Sequence, residues 1–145
     1  MIRAKGRPRQ RPQKLGAMNK TETSFAAHLQ HLQLAGKIEA WGFEPFRLRL
    51  GDDWKSSYTP DFMVQLNSGE LVLVEVKPAK KDKRTGKWIA YWQEGAPDKF
   101  KWAKQRFPMF HFEAVRPWGS IMEESLTTKR KDSLLPNNPW VNITL

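Results

Sequence analysis

Three residues of this chain are spaced for phosphodiester chemistry. Asp61 follows Pro60 in the run Tyr58-Thr59-Pro60-Asp61-Phe62. Fourteen positions later, Glu75 and then Lys77 end the apolar run Leu71-Val72-Leu73-Val74-Glu75-Val76-Lys77. Two carboxylates and one ammonium gathered at a point are what a hard divalent cation and a phosphodiester require.

The gathering depends on strands. Side chains in a strand alternate faces with a period of two. Val72, Val74 and Val76 therefore form one all-valine face that must be buried, while Leu71, Leu73, Glu75 and Lys77 share the other. A bare Glu-X-Lys at a strand end is common, and by itself says only that the strand reaches solvent. Asp61 changes the reading. Pro60 has no N–H for a ladder and favours a strand start or an edge, so Asp61 stands at the mouth of a strand running to Leu66. Asn67-Ser68-Gly69 is a hairpin turn, and pairing across it brings Asp61 near Glu75. Two carboxylates held close raise the cost of ionising both. Mg²⁺ offsets that cost with one or two carboxylates plus waters and phosphate oxygens. The Val76 carbonyl is a candidate third protein donor, and Lys77 stands beside the metal position.

With these motifs quoted, the chain resembles the PD-(D/E)XK nuclease superfamily. Within it, the chain is most similar to small phage-encoded predicted endonucleases related to endonuclease I-type Holliday junction resolvases. The resemblance covers about two-thirds of the chain, from Asn19 to Val115. It is carried by Asn19-Lys20-Thr21-Glu22, the Pro60-Asp61 run, Glu75-Val76-Lys77, and Lys99-Phe100-Lys101-Trp102-Ala103 with Phe107-Pro108. It implies a restriction-endonuclease-like α/β core with Asp61 and Glu75 as metal ligands and Lys77 as catalytic lysine. It also implies that Glu22 is the acid that the superfamily's first helix often adds to the site, binding the metal directly or through water.

Glu22 has two readings. Asn19-Lys20-Thr21-Glu22 fits a capping box, with Asn19 as N-cap and Glu22 at the third helical position. Phe25, Leu29 and Leu32 also follow it on one helical stripe, which places Glu22 at the end of the face that packs on the sheet.

Charge points to a nucleic-acid partner. Lys and Arg number 25 against 15 Asp and Glu, a net charge of +10. Residues 1–20 carry seven bases and no acid, and residues 76–90 carry six bases and one acid. Residues 21–75 hold eight acids and four bases. An acidic centre flanked by basic segments suits a metal site between phosphate clamps. The candidate DNA contacts are Arg7, Arg9 and Arg11 in the first segment, and Lys80, Lys81, Lys83, Arg84 and Lys87 in the second. Lys101 and Lys104, off the buried stripe of a later helix, complete the set.

Composition narrows the alternatives. At 145 residues with 39% hydrophobic content, seven Trp and eight Phe, one domain with tails and a real core is expected. Without cysteine, neither a disulfide framework nor a zinc-thiolate site can form. No apolar run has transmembrane length, and no lipidation signal, signal peptide or amphipathic basic helix is present. No membrane partner is expected, and the implied location is the cytoplasm of a bacterial host.

The expected organisation is a basic, disordered arm over 1–18, a nuclease domain over 19–116 and a C-terminal extension over 117–145. The element order is αβββαβ. A helix over Thr21–Ala35 ends at Gly36. Strands follow at Phe46–Leu50, Tyr58–Leu66 and Glu70–Lys77. Lys80–Lys87 is a charged loop with Thr85-Gly86 as its turn, and Trp88–Glu94 is ambiguous, with Trp88, Tyr91 and Trp92 at helical spacing but Gly95 and Pro97 close behind, its aromatics either core or base-stacking. A helix over Pro97–Phe107 buries Phe100, Ala103 and Phe107, and a last strand spans Met109–Val115. A helix before the last strand allows a parallel crossover, hence a mixed sheet flanked by helices. His28 and His31 read as helix surface, and Trp140 and Val141 as a tail docked on the core or on a second subunit.

The function expected from these residues is an endodeoxyribonuclease dependent on Mg²⁺, with Mn²⁺ substituting, acting on branched or junction DNA, with a homodimer favoured for symmetric cutting. A non-catalytic DNA-binding scaffold of the same fold is the alternative, and an RNA partner is a weaker third.

Overall fold

The computed structural model describes residues 16–52, 56–92, 96–117, 133–135 and 140–143. Residues 1–15 of the proposed arm, with Arg7, Arg9 and Arg11, lie outside the described residues, as does most of the stretch after Pro117, whereas Met18, also assigned to the arm, packs against the core.

Helix α1 spans Lys20–Leu34. The Asn19 side chain accepts from the Glu22 N–H at 2.8 Å, and Glu22 reaches back to Asn19, so both halves of the capping box are present. Gly36, at φ 71°, ends the helix. It lets the Gly36 N–H reach the Gln33 carbonyl and the Lys37 N–H reach the Leu32 carbonyl, a left-handed C-terminal stop that favours glycine.

The main sheet has five strands: β1 (Ala40–Phe43), β4 (Phe62–Gln65), β5 (Leu71–Val76), β8 (His111–Arg116) and β9 (Val141–Asn142), side by side in that order. Pairing is antiparallel except for β5 with β8. That parallel pair needs a long crossover, which helix α2 (Ala96–Arg106) supplies. Two small hairpins stand apart, β2 (Leu48–Arg49) with β3 (Ser57–Tyr58), and β6 (Ala79–Lys81) with β7 (Trp88–Ala90). Among the described residues the protein is thus mixed α/β with a mixed sheet and two helices.

The alternation in β5 divides the core. Val72, Val74 and Val76 are all buried and pack with Phe25, Leu29 and Leu32 of α1, together with Phe62, Val64 and Val115. Leu73 faces the other way, into a cluster with Phe100 and Ala103 of α2, Tyr58, Leu48, Leu50, Phe112 and Ala114. Glu75 is on the Leu73 side, so the strand carries it to the rim of the α2 cluster.

Several expectations are revised. The strand expected over Tyr58–Leu66 is split into β3, which ends at Tyr58 and pairs with β2, and β4, which begins at Phe62 and pairs with β5, with Pro60 between them. The strand expected over Phe46–Leu50 is reduced to Leu48–Arg49 in a separate hairpin, and the edge of the sheet is Ala40–Phe43 instead. That strand shows no buried–exposed alternation, all four residues being half-buried, so it carries no period to detect. The charged loop is a β-ribbon. Its Asp82 side chain accepts from the Arg84 N–H and the Thr85 hydroxyl, and Gly86 turns at φ 70°. Of the ambiguous segment Trp88–Glu94, residues Trp88–Ala90 are the ribbon's return strand, and residues 93–94 lie outside the described residues. The tail docks on the core: Trp140 meets Phe25 edge-on at 5.0 Å, and β9 extends the sheet beside β8. His31 is exposed as expected, but His28 is not surface: it is half-buried against the Phe25 ring at 6.0 Å, because it lies next to the buried stripe of α1. No helix among the described residues is long and apolar enough to cross a membrane.

Candidate active site

The hairpin of β4 and β5 aligns Phe62 with Val74, Val64 with Val72 and Gln65 with Leu71. Continued outward, that register sets Asp61 opposite Glu75 and Pro60 opposite Val76. The pair Val76 and Pro60 explains why proline precedes the aspartate. The backbone N–H and C=O of one strand residue point to the same side, and Pro60 has no N–H to donate to the Val76 carbonyl. The Val76 N–H is satisfied by the Asp61 carboxylate instead, Oδ2 accepting at 2.8 Å. Asp61 thus caps β5 where the ladder stops, and the Val76 carbonyl, on the same strand edge as its N–H, has no proline N–H to accept from.

Glu75 is buried, and both its oxygens are engaged. The Tyr58 hydroxyl donates to Oε2 at 2.5 Å, and the Lys77 ammonium lies 2.9 Å from Oε1. The ammonium also sits over the Trp92 ring, 5.0 Å from its centroid. Burial, and then the Glu75 charge, push the Tyr58 phenol far up, so it remains a donor. Burial first, and then Glu75, raise Asp61 to about 8, against the opposing pull of the Val76 N–H and of Lys77.

Buried Glu75 and half-buried Asp61, opposed by register at a strand end, form a hard-oxygen donor set short of positive charge, to which the Val76 carbonyl is a candidate addition. Mg²⁺ or Mn²⁺ fits it, and each carboxylate oxygen keeps lone-pair capacity beyond its present bond. Asp61, Glu75 and the Val76 carbonyl would hold the ion. No group of three or more His, Cys, Asp or Glu side chains among the described residues is placed to bind a metal. Water and substrate oxygens would therefore complete the sphere, as is usual for Mg²⁺.

Glu22 is buried at the first turn of α1, and its carboxylate accepts from the Asn19 side-chain amide at 2.8 Å. Burial raises its pKa, the Asn19 contact opposes that, and the charges of Glu44, Lys77 and Glu75 all reach it. Capping is therefore the bond Glu22 makes, and the active-site charges act on it across space. Glu22→Gln separates the two roles, because glutamine also completes a capping box. The expected outcome is slower cleavage with folding stability held within about 0.5 kcal/mol. Asn19→Ala should instead cost about 1 kcal/mol of stability, read by thermal melting. Unchanged cleavage in Glu22→Gln would leave Glu22 a cap alone.

The remaining candidates divide by position. Lys80, Lys81, Lys83, Arg84 and Lys87 are exposed on the β6–β7 ribbon, which begins directly after Lys77 and Pro78. Two of them lie over ribbon aromatics, Lys80 at 5.4 Å from the Tyr91 centroid and Lys81 at 6.0 Å from that of Trp88. Buried Arg116 donates to the Trp88 carbonyl at 3.3 Å, fastening the ribbon to β8. Lys101 and Lys104 are exposed on α2, away from Phe100 and Ala103. The sequence marks Trp92 only as a core or base-stacking aromatic and Tyr58 only as a strand residue, though both touch the proposed catalytic pair. Neither lies on β4 or β5, so no period-two count reaches them; the visible signal was only a hydroxyl-bearing aromatic two residues before Pro60.

No protein-family model matches the chain, and no match was found among curated proteins or solved structures.

Proposed function

We propose that this chain is a metal-dependent endodeoxyribonuclease with a PD-(D/E)XK-type site. The observation that carries the reading is the joining of Asp61, Glu75 and Lys77 at one strand end, through the Val76 N–H on Asp61 and the Lys77–Glu75 ion pair. Mg²⁺ or Mn²⁺, when bound, supplies Lewis-acid polarisation of the phosphodiester.

The chain's own groups do the rest. Asp61 and Glu75 present oxygens to the ion. The Lys77 ammonium has three N–H donors, of which Glu75 takes one, so donors remain for a phosphate oxygen or an attacking water. Placed there, it stabilises charge that grows in the transition state. Exposed cations on the ribbon and on α2 hold the flanking backbone. Branched or junction DNA, a homodimeric assembly and a bacterial cytoplasmic setting belong to this proposal through the resemblance.

The test is cleavage of labelled duplex, single-stranded, flap and four-way-junction DNA in Mg²⁺, Mn²⁺ or EDTA. Metal-dependent cutting is expected, with a preference for branched substrates. Tight binding with no cutting under any condition would replace the nuclease with a DNA-binding scaffold.

The ribbon gives a separate prediction. Replacing Lys80, Lys83, Arg84 and Lys87 together with alanine should weaken DNA binding and flatten its salt dependence. The slope of log K against log[salt] should fall by about 0.9 for each duplex phosphate that the variant no longer neutralises. Anisotropy titrations across a salt series measure it; an unchanged slope would remove the ribbon from the interface.

A further inference from the structure

We infer that Tyr58 and Trp92 are positioning residues for Glu75 and Lys77, braced together by Phe100 of α2. The inference rests on the nuclease reading and extends it to residues outside the metal-binding strand pair.

Glu75 and Lys77 share one face of β5 and its continuation, where nothing in the strand itself fixes their side chains. A glutamate rotates freely at its terminal torsion, and a lysine has a flexible four-carbon stem. Here each is held from outside the sheet. Tyr58 enters from the β2–β3 hairpin and donates to Glu75 Oε2 at 2.5 Å, while Lys77 takes Oε1 at 2.9 Å. Bonded at both oxygens to different partners, the carboxylate has one orientation. Lys77 is confined in turn between Glu75 and the face of Trp92, whose centroid is 5.0 Å from the ammonium. A cation over an indole face is attracted to the ring quadrupole, and tryptophan does this best.

The two holders share a support. Phe100 is buried and meets the Tyr58 ring edge-on at 6.2 Å and the Trp92 ring at 6.1 Å. Aromatic contacts of this geometry stabilise beyond the area they bury. Trp92 also closes the base of the ribbon, where the preceding Tyr91 N–H donates to the Pro78 carbonyl at 2.8 Å. Lys77 stands at one foot of the ribbon and Trp92 at the other. DNA held by the ribbon cations therefore bears on the same base that sets the ammonium.

The experiment compares wild type with Tyr58→Phe, Trp92→Leu and Trp92→Phe, all in the full chain. Tyr58→Phe removes only the hydroxyl and keeps the ring on Phe100. Trp92→Phe keeps an aromatic face, and Trp92→Leu removes it. At saturating DNA and Mg²⁺, Tyr58→Phe and Trp92→Leu should lower kcat by about 10- to 100-fold, the usual cost of losing a group that orients a metal-site residue. KM for DNA should change little, and Trp92→Phe should recover most of the loss. An activity-independent readout is the proton NMR shift of the Lys77 side chain beside its amine. Ring current should move it upfield in wild type and in Tyr58→Phe, and Trp92→Leu should abolish the shift. Folded Tyr58→Phe with wild-type kcat, or a wild-type Lys77 without the upfield shift, would overturn the inference. Wild type that cuts no DNA would remove the nuclease reading instead, and the NMR shift alone would then decide the bracket.

Discussion

Glu75→Ala is expected to abolish DNA cleavage while the chain still binds DNA. Glu75 touches both Lys77 and Tyr58 and, by register, it faces Asp61. Removing it takes away an ion ligand and frees the ammonium. The loss should exceed the roughly 10- to 100-fold expected when only a supporting group is removed. Binding should persist, because the exposed cations of the ribbon and of α2 lie elsewhere in the chain. Removing one carboxylate also lessens repulsion of the phosphate backbone, so affinity in EDTA should hold or rise. Cleavage in Mg²⁺ and anisotropy in EDTA, measured on one preparation, check both halves. A Glu75→Ala protein that cuts like wild type would void the site assignment, whatever its affinity.

The part of the site that was legible in the sequence is the part built by one hairpin. Asn67-Ser68-Gly69 turns the chain, Gly69 at φ 91°, and the Leu66 N–H closes onto the Glu70 carbonyl at 2.9 Å. Once the turn is placed, period-two alternation fixes which residues oppose, so Asp61 and Glu75 could be brought together from spacing alone. The valine face of β5 and the stripe Phe25, Leu29, Leu32 follow from the same periodicities, and both are buried. Capping by Asn19 and the stop at Gly36 are equally local, and both were readable.

What stayed hidden depends on contacts between elements. Strand β1 pairs with β4 through Trp41 opposite Val64 and Phe43 opposite Phe62, yet its own four residues include Gly42 and carry no alternation. Only the waiting edge of β4 makes it a strand. The β6–β7 ribbon reads as a solvated charge run because its stabilisation is lateral, from lysines lying over aromatics on the opposite strand or just beyond it, as Lys81 over Trp88 and Lys80 over Tyr91. Tyr58 reaches Glu75 from 17 positions away and from a different hairpin. A sequence places residues that share an element; it does not say which side chains from other elements converge on them.

Asp61→Asn is expected to destroy cleavage and, in EDTA, to stabilise the fold increasingly as pH rises. Asp61 moves from an ordinary 3.8 to about 8, chiefly through burial and secondly through Glu75. For an acid whose folded-state pKa is raised, the folded form favours the protonated group. That contribution to stability is complete below the unfolded value and is lost as pH rises through the folded value. Metal-free wild type should therefore lose stability from about pH 4 to about pH 8 through this residue. Asparagine has no proton to lose, and its side-chain oxygen can still accept from the Val76 N–H. The two proteins should melt alike near pH 4. By pH 8 the variant should melt higher by at least about 5 °C, the scale of a 1–2 kcal/mol change in a domain of this size. Adding Mg²⁺ at pH 8 should raise the melting temperature of wild type, since an ion that binds only the folded form stabilises it by mass action, and should move the variant far less. Flat wild-type stability across that pH range would show that Asp61 ionises without penalty. Equal Mg²⁺ shifts in both proteins would place the ion elsewhere. The destabilising charge and the ion-binding charge are the same carboxylate, so the stability given up by the metal-free fold measures how strongly the site is prepared for its cation.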